Sequence, residues 1–149
     1  MKTSKTWLLI ADGARARLLT VEGHGRTLHV VEKLQLHADH RPTHELVRDR
    51  TARVYEAHGS ARHAVESKSD PHRELKRDFA QEVAVVLDQS LANGDFDRLV
   101  VAAAPVTLGD LRKAMSPGVK AKVLAEVAKD LTKISDADVP RHIEDLIPL

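Results

Sequence analysis

The run Leu99-Val100-Val101-Ala102-Ala103-Ala104 constrains this chain more than any other feature. It lies between the charged pair Asp97-Arg98 and Pro105, with no polar residue to mark a solvent side. A short, unbroken apolar run of this kind is a strand buried on both faces, which needs a sheet covered on both sides. A chain of 149 residues, 42% of them hydrophobic, can build one such domain. The run is preceded by a long helical pattern. Asp70 is placed as N-cap and Pro71 as the first helical residue. Leu75, Phe79, Val83, Val86, Leu87 and Leu91 share one face, and Asn93-Gly94 ends the helix.

Residues 5 to 36 read as a β-meander. Thr6-Trp7-Leu8-Leu9-Ile10-Ala11 leads into Asp12-Gly13, a hairpin signal that predicts a type I′ turn. Ala14 to Val21 is the return strand, Gly23 to Arg26 the next turn, and Leu28 to Leu34 a third strand. After the buried strand, Thr107 with Asp110 resembles a capping box for a short helix to Met115. Ser116-Pro117 is expected to open a further helix with Val119, Val123, Leu124, Val127 and Ala128 inward. Leu131 to Ile134 is expected as a last edge strand, and Pro140 to Ile147 as a terminal helix. The order β-β-β-α-β-α-α-β-α predicts a mixed α/β sheet, three antiparallel strands first, with helices packed on it. Residues 37 to 69 lack hydrophobic periodicity and read as one long polar loop.

Composition removes several function classes. The absence of cysteine excludes a disulfide scaffold, a thiol nucleophile, a zinc ribbon and an iron–sulfur site. No apolar run approaches the roughly 20 residues of a bilayer span, and Trp7 to Ala11 is too short for a signal-peptide core. The sequence therefore predicts a cytoplasmic protein with no membrane partner. No glycine loop leads from a strand into a helix to cradle phosphate, and no Gly-x-Ser-x-Gly elbow is present.

Nine histidines stand out, and His37, His40, His44, His58, His63 and His72 gather in one stretch. His40 and His44 have the spacing of one helix face, but Pro42 interrupts them and no His-Glu-x-x-His pattern occurs. A polar, protonatable loop accounts for them, and neither a metal nor a cofactor is expected. Asp12 ends the first strand, where a ribonuclease-H-like nuclease places its first metal-binding aspartate. A metal-dependent hydrolase using Asp12 and the loop histidines is thus the enzymatic alternative. The turn Asp12-Gly13 explains the same aspartate without chemistry.

Charge gives the stronger lead. The formal net charge is only +1. Between Arg41 and Arg77, however, nine Lys or Arg face six Asp or Glu. Arg73, Lys76 and Arg77 lie three and four apart on the first turns of the long helix, hence on one face. Cations there oppose the helix dipole, offset either by the interleaved acids Asp70, Glu74 and Asp78 on ordinary solvated faces or by an anionic partner. Arg15 and Arg17, two apart on a strand, are expected to extend that surface, as are Arg62 and His63 in the loop. Arg112-Lys113 with Lys120 and Lys122 form a second basic stretch. Only four aromatics occur (Trp7, Tyr55, Phe79, Phe96), so contact is expected with phosphates rather than stacked bases.

The blocks Trp7 to Arg17, Arg62-His63-Ala64-Val65-Glu66 and Asp70-Pro71-His72-Arg73-x-x-Lys76-x-x-Phe79-Ala80 resemble the bacterial host attachment protein family. Phe96-Asp97-Arg98-Leu99-Val100, Leu108 to Arg112 and Val127 to Leu131 extend the resemblance over nearly the whole chain. The family is named for a phenotype and is similar to proteins resembling the middle domain of peptide-chain release factors. The resemblance implies a ribonuclease-H-like architecture and a surface for ribosomal or other RNA. Release factors carry a Gly-Gly-Gln loop before the long helix. The corresponding stretch, Gly59-Ser60-Ala61-Arg62, has one glycine and no glutamine. The expectation is a non-enzymatic RNA- or ribosome-associated module. The family name taken literally gives a third reading, a factor that acts indirectly in attachment to host cells.

Overall fold

The computed structural model describes residues 5–24, 27–38 and 71–146. Strands β1 (Thr6–Ala11), β2 (Arg15–His24) and β3 (Thr27–His37) form the meander. Helix α1 (Pro71–Ala92) leads to β4 (Arg98–Ala103), followed by α2 (Pro105–Ala114), a four-residue α3 (Pro117–Lys120) and β5 (Val123–Val127). A short α4 (Val139–Ile143) runs into a 3-10 turn, Glu144–Leu146. The sheet order is β3-β2-β1-β4-β5. The meander is antiparallel, whereas β4 runs parallel to β1 and to β5. This mixed order, with helices on the sheet, is the ribonuclease-H-like arrangement that the resemblance implied.

The apolar run forms β4, an interior strand between β1 and β5 that is buried on both faces. Leu99, Val101 and Ala103 join Trp7, Leu9, Ala11, Ala16 and Leu18 under α1 and α2, which contribute Phe79, Val83, Leu87, Leu108 and Leu111. Alternate residues Val100 and Ala102 join Leu8, Ile10, Leu19 and Val21 on the other face, under Leu131, Val139 and Ile143. One face is thus covered by helices, the other by an irregular strap ending in α4. The rings of Trp7 and Phe96, 5.2 Å apart between centroids, close the helical side near the start of β4. Helix α1 ends as its sequence implies, with Gly94 at φ +75° and Asp95 N–H donating back to the Ser90 carbonyl.

Several sequence expectations give way. Among the described residues only Gly94 has a positive φ, so Asp12-Gly13 is not a type I′ turn. The Asp12 carboxylate closes the turn instead: its Oδ1 accepts from the N–H groups of Ala14 at 2.8 Å and Arg15 at 2.7 Å. Gly13 serves close approach, since a Cβ there would lie 2.6 Å from Lys76 Cγ. The Thr107–Asp110 capping box does not form. Pro105 is already the first helical residue, after Ala104, and the Asp110 carboxylate turns to Arg73. The helix opened by Ser116-Pro117 stops at Lys120, and Val123–Val127 is a strand. Apolar residues four apart, Val119, Val123 and Val127, satisfy the helical period and the strand period alike, and pairing with β4 decides between them. That strand fills the edge expected for Leu131 to Ile134, which instead form a turn with Leu131 buried. The expected loop at 37–69 lies outside the described residues, except that His37 belongs to β3 and Ala38 is buried beside it.

Candidate nucleic-acid interface

Helix α1 lays its apolar stripe on the sheet and leaves Arg73, Arg77 and Gln81, spaced by four, along a line that faces α2. Asp110 is the one buried carboxylate of the described residues, 8% exposed. Arg73 meets it as a two-pronged pair, Nη1 to Oδ2 at 2.6 Å and Nη2 to Oδ1 at 2.5 Å. Such fork-to-fork geometry is the strong form of an ion pair and fixes the relative position of the two helices. Beside it, Arg77, Gln81, Asp110, Lys113 and Ala114 line a shallow hollow of about 190 Å³.

The charge of this hollow follows from the pairing. Asp110 is neutralised by Arg73, so Arg77 and Lys113 add positive charge with no carboxylate bound to either among the described residues. Lys76, the residue before Arg77, does not line the hollow; its chain lies across Gly13 at the β1–β2 turn. Arg112, next to Lys113, is occupied: its Nε donates to Glu126 Oε2 at 2.7 Å. Lys113 is the residue that the sequence placed in a separate basic stretch. The only signal for joining it to Arg77 would have been the packing of α1 on α2, which has no local signature.

The two strand arginines go elsewhere. Ala16 and Leu18 point to the helical face, so Arg15 and Arg17 point to the opposite one. The Arg17 Nη1 donates to Asp136 Oδ1 at 2.7 Å, and Nη2 donates to the carbonyls of Leu131 at 3.1 Å and Ile134 at 2.9 Å. It is a staple that holds the strap on the sheet. Arg15 reaches back to Asp12 Oδ2 at 3.3 Å. Burial pushes the Asp12 carboxyl up, but the two backbone N–H bonds and the Arg15 charge outweigh it and hold the group below the usual carboxylate range. Arg62, His63 and the other loop histidines, His40, His44 and His58, lie outside the described residues. Among the described residues no three His, Asp or Glu converge as a metal site. No helix there is long and apolar enough to cross a membrane.

A five-stranded mixed sheet with helices on one face and a strap on the other defines an α/β domain of ribonuclease-H-like topology, with a basic groove between α1 and α2. Residues 7–143 match the family described as "Protein required for attachment to host cells", and the chain belongs to that family. No curated protein matches it in sequence. Among solved structures, it is similar to the crystal structure of an archaeal translation termination factor, at 10% identity and a TM-score of 0.40. That alignment covers 95% of this chain and 38% of the termination factor, so this chain spans well under half of it.

Proposed function

We propose that the chain is a non-catalytic binding module that contacts ribosomal or other RNA through the α1–α2 groove. The observation that carries this reading is the placement of Arg77 and Lys113 around a hollow whose only carboxylate among the described residues, Asp110, is already neutralised by Arg73. Two cations that hold no carboxylate among the described residues suit the phosphate backbone, whose binding is driven by counterion release. The buried positions of Trp7, Phe79 and Phe96 remove three of the four aromatics from stacking on bases. Asp12 has a structural occupation in its turn, which weighs against the hydrolase alternative.

The test is binding to ribosomes and to mixed-sequence RNA across a salt series. Arg77→Ala with Lys113→Ala should weaken binding in proportion for every sequence tried, and flatten the log–log salt slope by about two. Equal co-sedimentation of the double variant and the native chain at low salt would overturn the reading.

A further inference from the structure

The side of the sheet away from the helices carries a second polar hollow, of about 200 Å³, that the RNA reading does not use. It is built by strand register. Arg15 on β2 lies opposite His37 on β3, and Arg17 lies opposite Gln35. Direct cross-strand partners have Cβ atoms about 5 Å apart on one face. The four side chains therefore form a compact square, and Thr132 from the strap closes one side of it.

The donors and acceptors of this square do not balance. Asp136 is taken by Arg17, and Glu32 accepts from Gln35 Nε2 at 2.6 Å. Asp12 has one oxygen filled by backbone N–H groups and shares the other with Arg15 and, at 3.5 Å, Thr132. The Thr132 hydroxyl lies 2.6 Å from Asp130. Each carboxylate at the rim is thus engaged. Arg15 has five N–H donors and makes one side-chain hydrogen bond among the described residues. His37 is exposed and has no partner among those residues, and an imidazole donates from at least one nitrogen in either charge state. The Arg17 Nε–H is buried with no acceptor among the described residues. A ligand rich in acceptors and without donors is what such a surface lacks.

We propose that the Arg15–Arg17–Gln35–His37 square binds a small phosphate-bearing anion, with Arg15 and His37 as the contacting donors and Arg17 as the positioning residue behind them. The guanidinium of Arg15 suits two oxygens of one phosphate, and the opposite imidazole reaches a third. The volume accommodates one phosphate group, free or as a monoester, rather than a polymer.

The site stands apart from the α1–α2 groove, and its test separates the two. Backbone amide shifts of the intact chain would be followed in titrations with inorganic phosphate and with methyl phosphate, against chloride at equal ionic strength. Saturable shifts are expected at Ala16, Gln35 and Thr132. Arg15→Ala and His37→Ala should each weaken binding about tenfold, the loss of one charge-assisted contact. Both sites are exposed, so these variants should keep the native spectrum elsewhere. Arg77→Ala should leave phosphate affinity unchanged while lowering RNA binding. Equal affinity for both probes would assign the site to phosphate monoesters, and retention of inorganic phosphate alone would assign it to the free ion. Shifts that never saturate, shifts at Arg77 and Lys113 instead, or undiminished affinity in both variants would overturn the proposal.

Discussion

On the helical face of the sheet, Arg73 joins two regular helices through a buried carboxylate, and its neighbours Arg77 and Lys113 hold no carboxylate among the described residues. On the opposite face, Arg17 turns inward to Asp136 and two backbone carbonyls of an irregular strap; Leu131 already accepts from the Ile134 N–H within the strap, and Arg17 supplies the donor to the Ile134 carbonyl. An arginine count alone would treat the two as equivalent. The difference is that helices satisfy their own backbone, so side chains between them are released for charge–charge work, whereas an irregular cover draws side-chain donors into its own support.

The largest effect is expected at Arg73. Arg73→Ala leaves the Asp110 carboxylate buried without its fork, and a loss of about 3 kcal/mol is expected by chemical denaturation. Replacing both partners by apolar residues, Arg73→Met with Asp110→Leu, should recover much of that loss, because no buried charge remains. If the double variant is as unstable as the single one, the pair does more than neutralise a buried charge. Arg17→Ala is expected to cost about 2 kcal/mol, since the Ile134 carbonyl and the Asp136 carboxylate lose the Arg17 donor and the Leu131 carbonyl keeps only its bond from the Ile134 N–H. Hydrogen exchange should then rise in the strap from Leu131 to Ile143 before it rises in α1. A uniform increase over the whole molecule would contradict the staple role.

Asp12 tests the turn. Its folded-state pKa is lowered, so its contribution is fully present above the unfolded value near 4 and is lost as pH falls through the folded value. Asp12→Asn should flatten that acid limb of the stability profile, with a loss of about 1 kcal/mol at neutral pH. The smallest effect is expected in the groove itself. Arg77→Ala with Lys113→Ala should change stability by less than about 0.5 kcal/mol, because neither holds a carboxylate among the described residues. A large loss there would mean that the groove is a structural joint.

Much of the architecture was legible because it rests on local chemistry. The apolar run at Leu99 announced a doubly covered strand, Pro71 and Gly94 bracketed α1, and the meander followed from turn residues. Val123–Val127 was not legible, since its four-residue spacing serves both helix and strand and only the open edge of β4 selects the strand. Of the candidate site, Arg73, Lys76 and Arg77 were readable from helical spacing, but the role of Arg73 depends on Asp110, 37 positions away. Arg15 and Arg17 were correctly placed on one face of a strand. Which face that is depends on the alternation of Ala16 and Leu18 against a core that no local window contains.

Near-neighbour chemistry in the sequence set the layers, a strand covered on both faces and the basic start of the long helix, because periodicity, caps and turns act over short distances along the chain. Long-range folding settles which arginines hold carboxylates or carbonyls and which hold none among the described residues. That outcome depends on the carboxylates and carbonyls that folding brings within about 3 Å, and burial then makes those partners costly to leave unsatisfied.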